Sequence, residues 1–161
     1  RRGAEKGTVT AVFDADCAAA WLEENKSRSQ AFFTVDDLAY LRRGGRISAV
    51  AATVGTMLDL KPIITEGKNG KLLSMDKVRG RKQALRTLAE LAAQNIDDPA
   101  EAEMYVLHAD APQDAERLVQ LLREKIPGLN QISVRYVGPV IGAHCGPGTV
   151  AVCFFGKERP Y

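Results

Sequence analysis

An Asn-Gly pair between two extended runs constrains this fold more than any other feature. Residues 63–66 and 71–78 read as strands, and Gly67-Lys68-Asn69-Gly70 between them reverses the chain. Asn-Gly is the strongest short hairpin signal because type I′ turns need positive φ at both central residues. A hairpin imposes antiparallel pairing. The rest of the chain alternates helical and extended patterns, which need crossover connections, so the expected fold is α/β with a mixed sheet, a β-hairpin and packed helices.

The helices announce themselves by their caps. Asp14 or Asp16 caps a helix through Ala18, Trp21 and Leu22 toward Lys26, and residues 31–35 follow as a short strand. Asp36 or Asp37 caps a second helix, with Leu38 and Leu41 on one face, that Gly44-Gly45 ends. Residues 47–60 are small, apolar and nearly uncharged, and read as a buried helix stopped by Pro62. From Arg81 to about Asn95, Leu85, Leu88, Ala92 and Ile96 recur at helical spacing. The basic residues in its first turns oppose the helix dipole and call for an anionic neighbour. Residues 104–108 read as a strand, Pro112 opens a helix carrying Leu118, Val119, Leu122 and Ile126 on one face, and 132–137 and 149–155 complete the strands. The last of these is almost wholly apolar and should be central. Residues 1–13 read as a flexible head and 14–161 as one α/β domain.

At 161 residues and 45% hydrophobic the chain can bury one substantial core. It has neither an apolar run of roughly 18 residues nor a basic-then-apolar leader, so a cytoplasmic protein is expected. Cys17, Cys145 and Cys153 are odd in number and lack CxxC spacing, which argues for reduced thiols and against structural zinc. The formal charge of +2 hides an asymmetry: residues 41–90 carry eleven Lys/Arg against four Asp/Glu. Such a segment suits an anionic partner, whether phosphate, nucleic acid, an acidic protein face or a lipid headgroup. A nucleic-acid-binding module is the alternative reading. Aromatic residues other than Tyr40 do not interleave with these charges and the pI is near 8.5, so nucleic acid is not the expected partner. Gly67 to Lys71 lacks phosphate-loop spacing, His108 reads as structural, Trp21 reads as a packing anchor, and no metal constellation is present.

Chemistry concentrates in GPVIGAHCGPG, residues 138–148, where His144 sits among four glycines and two prolines. Glycines admit close approach, and N–H groups left free at a turn or helix start can hold a carboxylate or phosphate while the imidazole donates beside them. The plainer alternative is a tight connection with a satisfied histidine. A nucleophilic Cys145 activated by His144 is disfavoured, because sequence neighbours rarely point at each other.

Four segments in order, FFTVDDLAYLRRGGRIS (32–48), LKPII (60–64), KVRGRKQAL (77–85) and GPVIGAHCGPGTVAVCFFGK (138–157), resemble the C-terminal half of the DegV family of bacterial fatty-acid-binding proteins. The likeness spans residues 21–159. It implies a cytoplasmic binding protein rather than an enzyme. Such a protein holds a long-chain fatty acid without any cofactor and presents its carboxylate to a separate fatty acid kinase subunit. His144 matches the family histidine that hydrogen-bonds the carboxylate. Arg42, Arg43 and Arg46 match the arginine-rich loop that engages the kinase partner, with Arg46 favoured. The apolar stretch after that loop would line the acyl tunnel through Ile47, Val50, Val54, Met57 and Leu58. The family's usual N-terminal domain, with its carboxylate-binding Ser and Thr, has no counterpart in these residues. The expectation is therefore a fragment or truncated member, its domain-packing face free to self-associate. Cys145 stands where a small hydroxyl residue is common.

Overall fold

The computed structural model describes residues 14–46 and 59–160. In chain order the elements are α1 (Ala15–Asn25), β1 (Ser29–Thr34), α2 (Leu38–Arg43), β2 (Leu60–Glu66), β3 (Leu72–Arg79), α3 (Arg81–Asn95), β4 (Glu103–His108), α4 (Pro112–Lys125), β5 (Gln131–Tyr136), α5 (Pro139–Cys145) and β6 (Val150–Phe155). The strands form one mixed sheet in the order β3-β2-β1-β6-β4-β5. Only β4 and β5 pair in parallel, across the α4 crossover. As its apolar sequence requires, β6 lies in the interior of the sheet, between β1 and β4.

The caps form as expected. Asp14 accepts from the Cys17 amide and Asp37 from the Ala39 amide, both at 2.7 Å. The positive start of α3 finds its anion in Asp114 on the first turn of α4, which accepts from Arg81 Nε at 2.8 Å.

Strand alternation divides the sheet into two unlike faces. On one, Phe32, Ile63, Met104, Val106, Val152 and Phe154 pack against Leu85, Leu88 and Ala92 of α3 and Leu118 and Leu122 of α4. Each of these side chains larger than alanine contributes about 1.5–3 kcal/mol of transfer free energy. On the other face a second, smaller core of Val35, Leu41, Ile64 and Cys145 joins α2 and α5 to the sheet, with Phe33, Leu38 and Leu72 at its margin. At the opposite end of this face Trp21 of α1 tilts onto Phe155 with ring centroids 5.7 Å apart, and no residue of α1 is buried.

Two expectations need correction. The hairpin forms, but Gly70 alone takes positive φ, at 72°; its N–H reaches Gly67 O at 2.9 Å and Gly67 N–H reaches Lys71 O at 2.8 Å. The turn is thus a type I turn closed by a left-handed glycine rather than the two-residue type I′ form. Pro62 does not end a helix. It lies inside β2, paired with Lys77 of β3 beside a register shift at Ile63/Ile64. The β1–β2 ladder registers only at Phe32↔Thr65 and Phe33↔Ile64, so Pro62 stands where its missing N–H is tolerated. Leu60 accordingly opens β2. Residues 47–58 of the expected apolar helix, with Ile47, Val50, Val54, Met57 and Leu58, lie outside the described residues, as do residues 1–13.

Candidate functional site

The arginine turn is built on α2. Leu41 is the buried residue of this helix, and Gly44 N–H to Tyr40 O and Arg46 N–H to Leu41 O, each 2.9 Å, close its C-terminal end. Arg42, Arg43 and Arg46 reach the surface of this turn. The Arg43 guanidinium lies 4.4 Å from the Tyr40 ring centroid, and Arg46 Nη1 donates back to Gly44 O. Three cations are therefore displayed from one well-anchored turn.

The histidine segment meets that turn directly. Cys145 is buried in the smaller core, which fixes the last turn of α5 and with it the half-buried His144. The Nδ1 edge of the His144 ring lies where a Gly44 Cβ would stand. Gly146 lies flat against the Tyr40 ring, and a Cβ at Gly148 would come within 2.6 Å of Asp36 Cβ. With φ of 78° and 80°, Gly146 and Gly148 bend the chain along α2 as no other residue type readily would. Residues 36, 40 and 44 thus face residues 148, 146 and 144 in antiparallel order.

Hydrogen bonds hold the far side of this segment. Gly148 N–H donates to Ala109 O at 2.7 Å, Thr149 Oγ1 to Gly146 O at 2.8 Å, and Arg81 Nη2 to Gly148 O. Asp36 pairs with Lys61, and that hydrogen bond holds its carboxyl below the usual carboxylate range. Tyr40, Gly44, Arg81 and the Asp36–Lys61 pair are not distinguished as site residues by the sequence. The unmatched positive charge at the start of α3 is a signal for Arg81.

The glycine N–H groups beside His144 and the N–H groups of the arginine turn are engaged, which leaves the exposed first turn of α5, at Val140 and Ile141, as the helix start of this motif. Gly142, Gly146 and Gly148 donate to Gly138 O, Gly142 O and Ala109 O, and Gly44, Gly45 and Arg46 donate within the α2 turn. His144 sits in the last turn of a short helix, not at an open turn or helix start. An anion beside His144 would therefore meet side chains. No described group hydrogen-bonds the His144 imidazole, which leaves it able to donate.

Other candidates separate cleanly. Burial pushes the Cys145 thiol up, opposite to what an activated nucleophile needs, and burial raises Cys153 to about 11. His108 is buried, accepts from Ala111 N–H at 3.3 Å and packs on Tyr136, a structural role. Within the basic segment Lys61 and Arg81 are paired with Asp36 and Asp114. Arg46 lines a cleft of about 420 Å³ with Asn69 and Lys71 of the hairpin tip. Among the described residues no helix is long and apolar enough to cross a membrane, and no His/Cys/Asp/Glu group could hold a metal ion.

A mixed-sheet α/β domain that seats a histidine on an arginine-rich turn at one sheet end is the class of protein these features define. The chain belongs to the DegV family: the family's sequence profile, described as that of uncharacterised proteins, matches residues 14–157. A DegV domain-containing protein of Clostridium perfringens is 42% identical over 140 residues, covering 87% of this chain and 48% of that protein. The chain spans about half the length of the curated relatives it matches. Among solved structures, a fatty acid binding DegV family protein of Streptococcus agalactiae aligns with a TM-score of 0.77 at 31% identity, covering 90% of this chain and 50% of that one. DegV of Bacillus subtilis, described as a fatty acid binding protein, aligns at 0.69 and 33% identity, covering 89% and 50%.

Proposed function

We propose that this chain is the C-terminal-type half of a fatty-acid-binding protein, in which His144 donates a hydrogen bond to the carboxylate of a long-chain fatty acid. The observation that carries this reading is the seating of an imidazole with no described hydrogen-bond partner on the arginine turn. It is supported by the relatives from Streptococcus agalactiae and Bacillus subtilis, both described as fatty acid binding. An imidazole N–H facing a carboxylate makes a hydrogen bond with a charged acceptor, stronger than a neutral pair. The polar end fixes orientation, while tail burial at about 0.8 kcal/mol per CH₂ supplies most of the affinity.

On this reading Ile47, Val50, Val54, Met57 and Leu58 line the acyl tunnel. Arg42, Arg43 and Arg46 form the surface that a separate cytoplasmic fatty acid kinase subunit engages, so the carboxylate lies beside the partner that would phosphorylate it. The chain itself catalyses nothing. A preceding DegV domain supplies the other wall of the site, and without it the exposed face self-associates. Native mass spectrometry of the purified chain, followed by organic extraction, tests the reading. A co-purifying fatty acid at one per site supports it; an empty chain that also fails to take up added oleate, alone or with a preceding DegV domain, contradicts it.

A further inference from the structure

The two glycines of the arginine turn are there for different reasons. Gly45 has φ of 69°, and a Cβ there would meet nothing within 4 Å, so its role is conformational. Gly44 has φ −76° and ψ −3°, ordinary right-handed helical values that alanine adopts freely. Its backbone gives no reason for glycine. The reason lies across the fold: the space a Gly44 Cβ would fill is taken by His144 Nδ1, with Cγ and Cε1 of the same ring next nearest.

We infer that Gly44 is the positioning residue for His144, its bare Cα forming a seat that takes the Nδ1 edge of the imidazole and turns Nε2 away toward the ligand. This deepens the fatty-acid reading and rests on it for the identity of that ligand. Nδ1, Cγ and Cε1 face the seat, so Cδ2 and Nε2 occupy the far edge of the ring. Nε2 is then the nitrogen placed to donate to a carboxylate, in the Nε2–H tautomer. The contact has a second consequence. Gly44 is the residue that links Arg43 to Gly45 and Arg46, and its carbonyl holds the Arg46 guanidinium. The seat therefore sets the imidazole directly against the backbone that carries the three arginines.

A double-mutant cycle tests the seat without any ligand. Gly44→Ala should lower Tm by on the order of 2–8 °C, the range expected for an overpacked methyl. In a His144→Ala background, where the ring is gone, Gly44→Ala should leave Tm within about 1 °C of that background. If Gly44→Ala alone fails to fold but the double variant folds, the inference stands. Equal losses in both backgrounds, or unfolding of both variants, overturn it. Imidazole ¹⁵N spectra give a readout that general destabilisation does not move. The parent should show His144 as the Nε2–H tautomer, and Gly44→Ala should shift its ring nitrogens while Gly45→Ala leaves them in place. Ring signals unchanged by Gly44→Ala overturn the proposal. Titration of the parent with oleate, alone or joined to a preceding DegV domain, separates the two claims. An absence of binding in both forms contradicts the fatty-acid reading, whereas the cycle still decides the seat.

Discussion

On the sheet face that carries α3 and α4, Phe32, Leu88, Met104 and Val152 are wholly buried, whereas on the other face Tyr105 and Phe155 remain 37% and 47% exposed. The first face is close-packed by two long amphipathic helices. Among the described residues the second is covered at its ends, by the α2–α5 pair and by Trp21 of the otherwise unburied α1. The difference separates stability from chemistry. A face that already holds the fold together allows the other to carry an imidazole with no described hydrogen-bond partner, three displayed arginines and a segment fitted to α2 through glycines.

Substitutions should respect that division. Leu88→Ala, on the packed face, should cost about 2–5 kcal/mol in denaturant melts, enough to threaten folding; Phe155→Ala should cost far less. Equal losses would break the comparison. Gly148→Ala, on the site face, should cost about 1–3 kcal/mol, since it combines φ of 80° with a Cβ overlap on Asp36. Unlike Leu88→Ala, it should also displace the His144 imidazole resonances, which would sharpen the division.

The smallest expected effect is electrostatic. Lys61 depresses the Asp36 carboxyl in the folded state, so this pair's contribution is present above the unfolded value of about 3.9 and is lost as pH falls through the lower folded value. Asp36 is 57% exposed, which limits the contribution to about 0.5–1 kcal/mol at neutral pH. Asp36→Asn should remove that amount at pH 7 and nothing below about pH 3. A pH-independent loss would show that Asp36 acts through packing under Gly148 rather than through charge.

Much of this was legible in the sequence. The caps at Asp14 and Asp37, the hairpin, the α3 and α4 stripes and the buried β6 are local patterns, and each formed. Where local rules failed, pairing decided the outcome. Pro62 reads as a helix stop until β3 registers beside it, and Asn-Gly reads as type I′ until the five-residue loop closes on Gly70. The two site motifs were visible separately, but their junction was not. Gly44 and His144 are one hundred positions apart, and only the sheet order brings their helices together. The nearest clue was a doubled glycine after Arg43, where a single left-handed residue suffices to end a helix.

Calorimetric titration of oleate into the chain joined to a preceding DegV domain, compared with its His144→Ala variant, tests the central claim most directly. The account predicts saturable one-to-one binding that His144→Ala weakens by about tenfold or more, the scale of one hydrogen bond to a charged group. Unchanged affinity in a folded His144→Ala variant would contradict it.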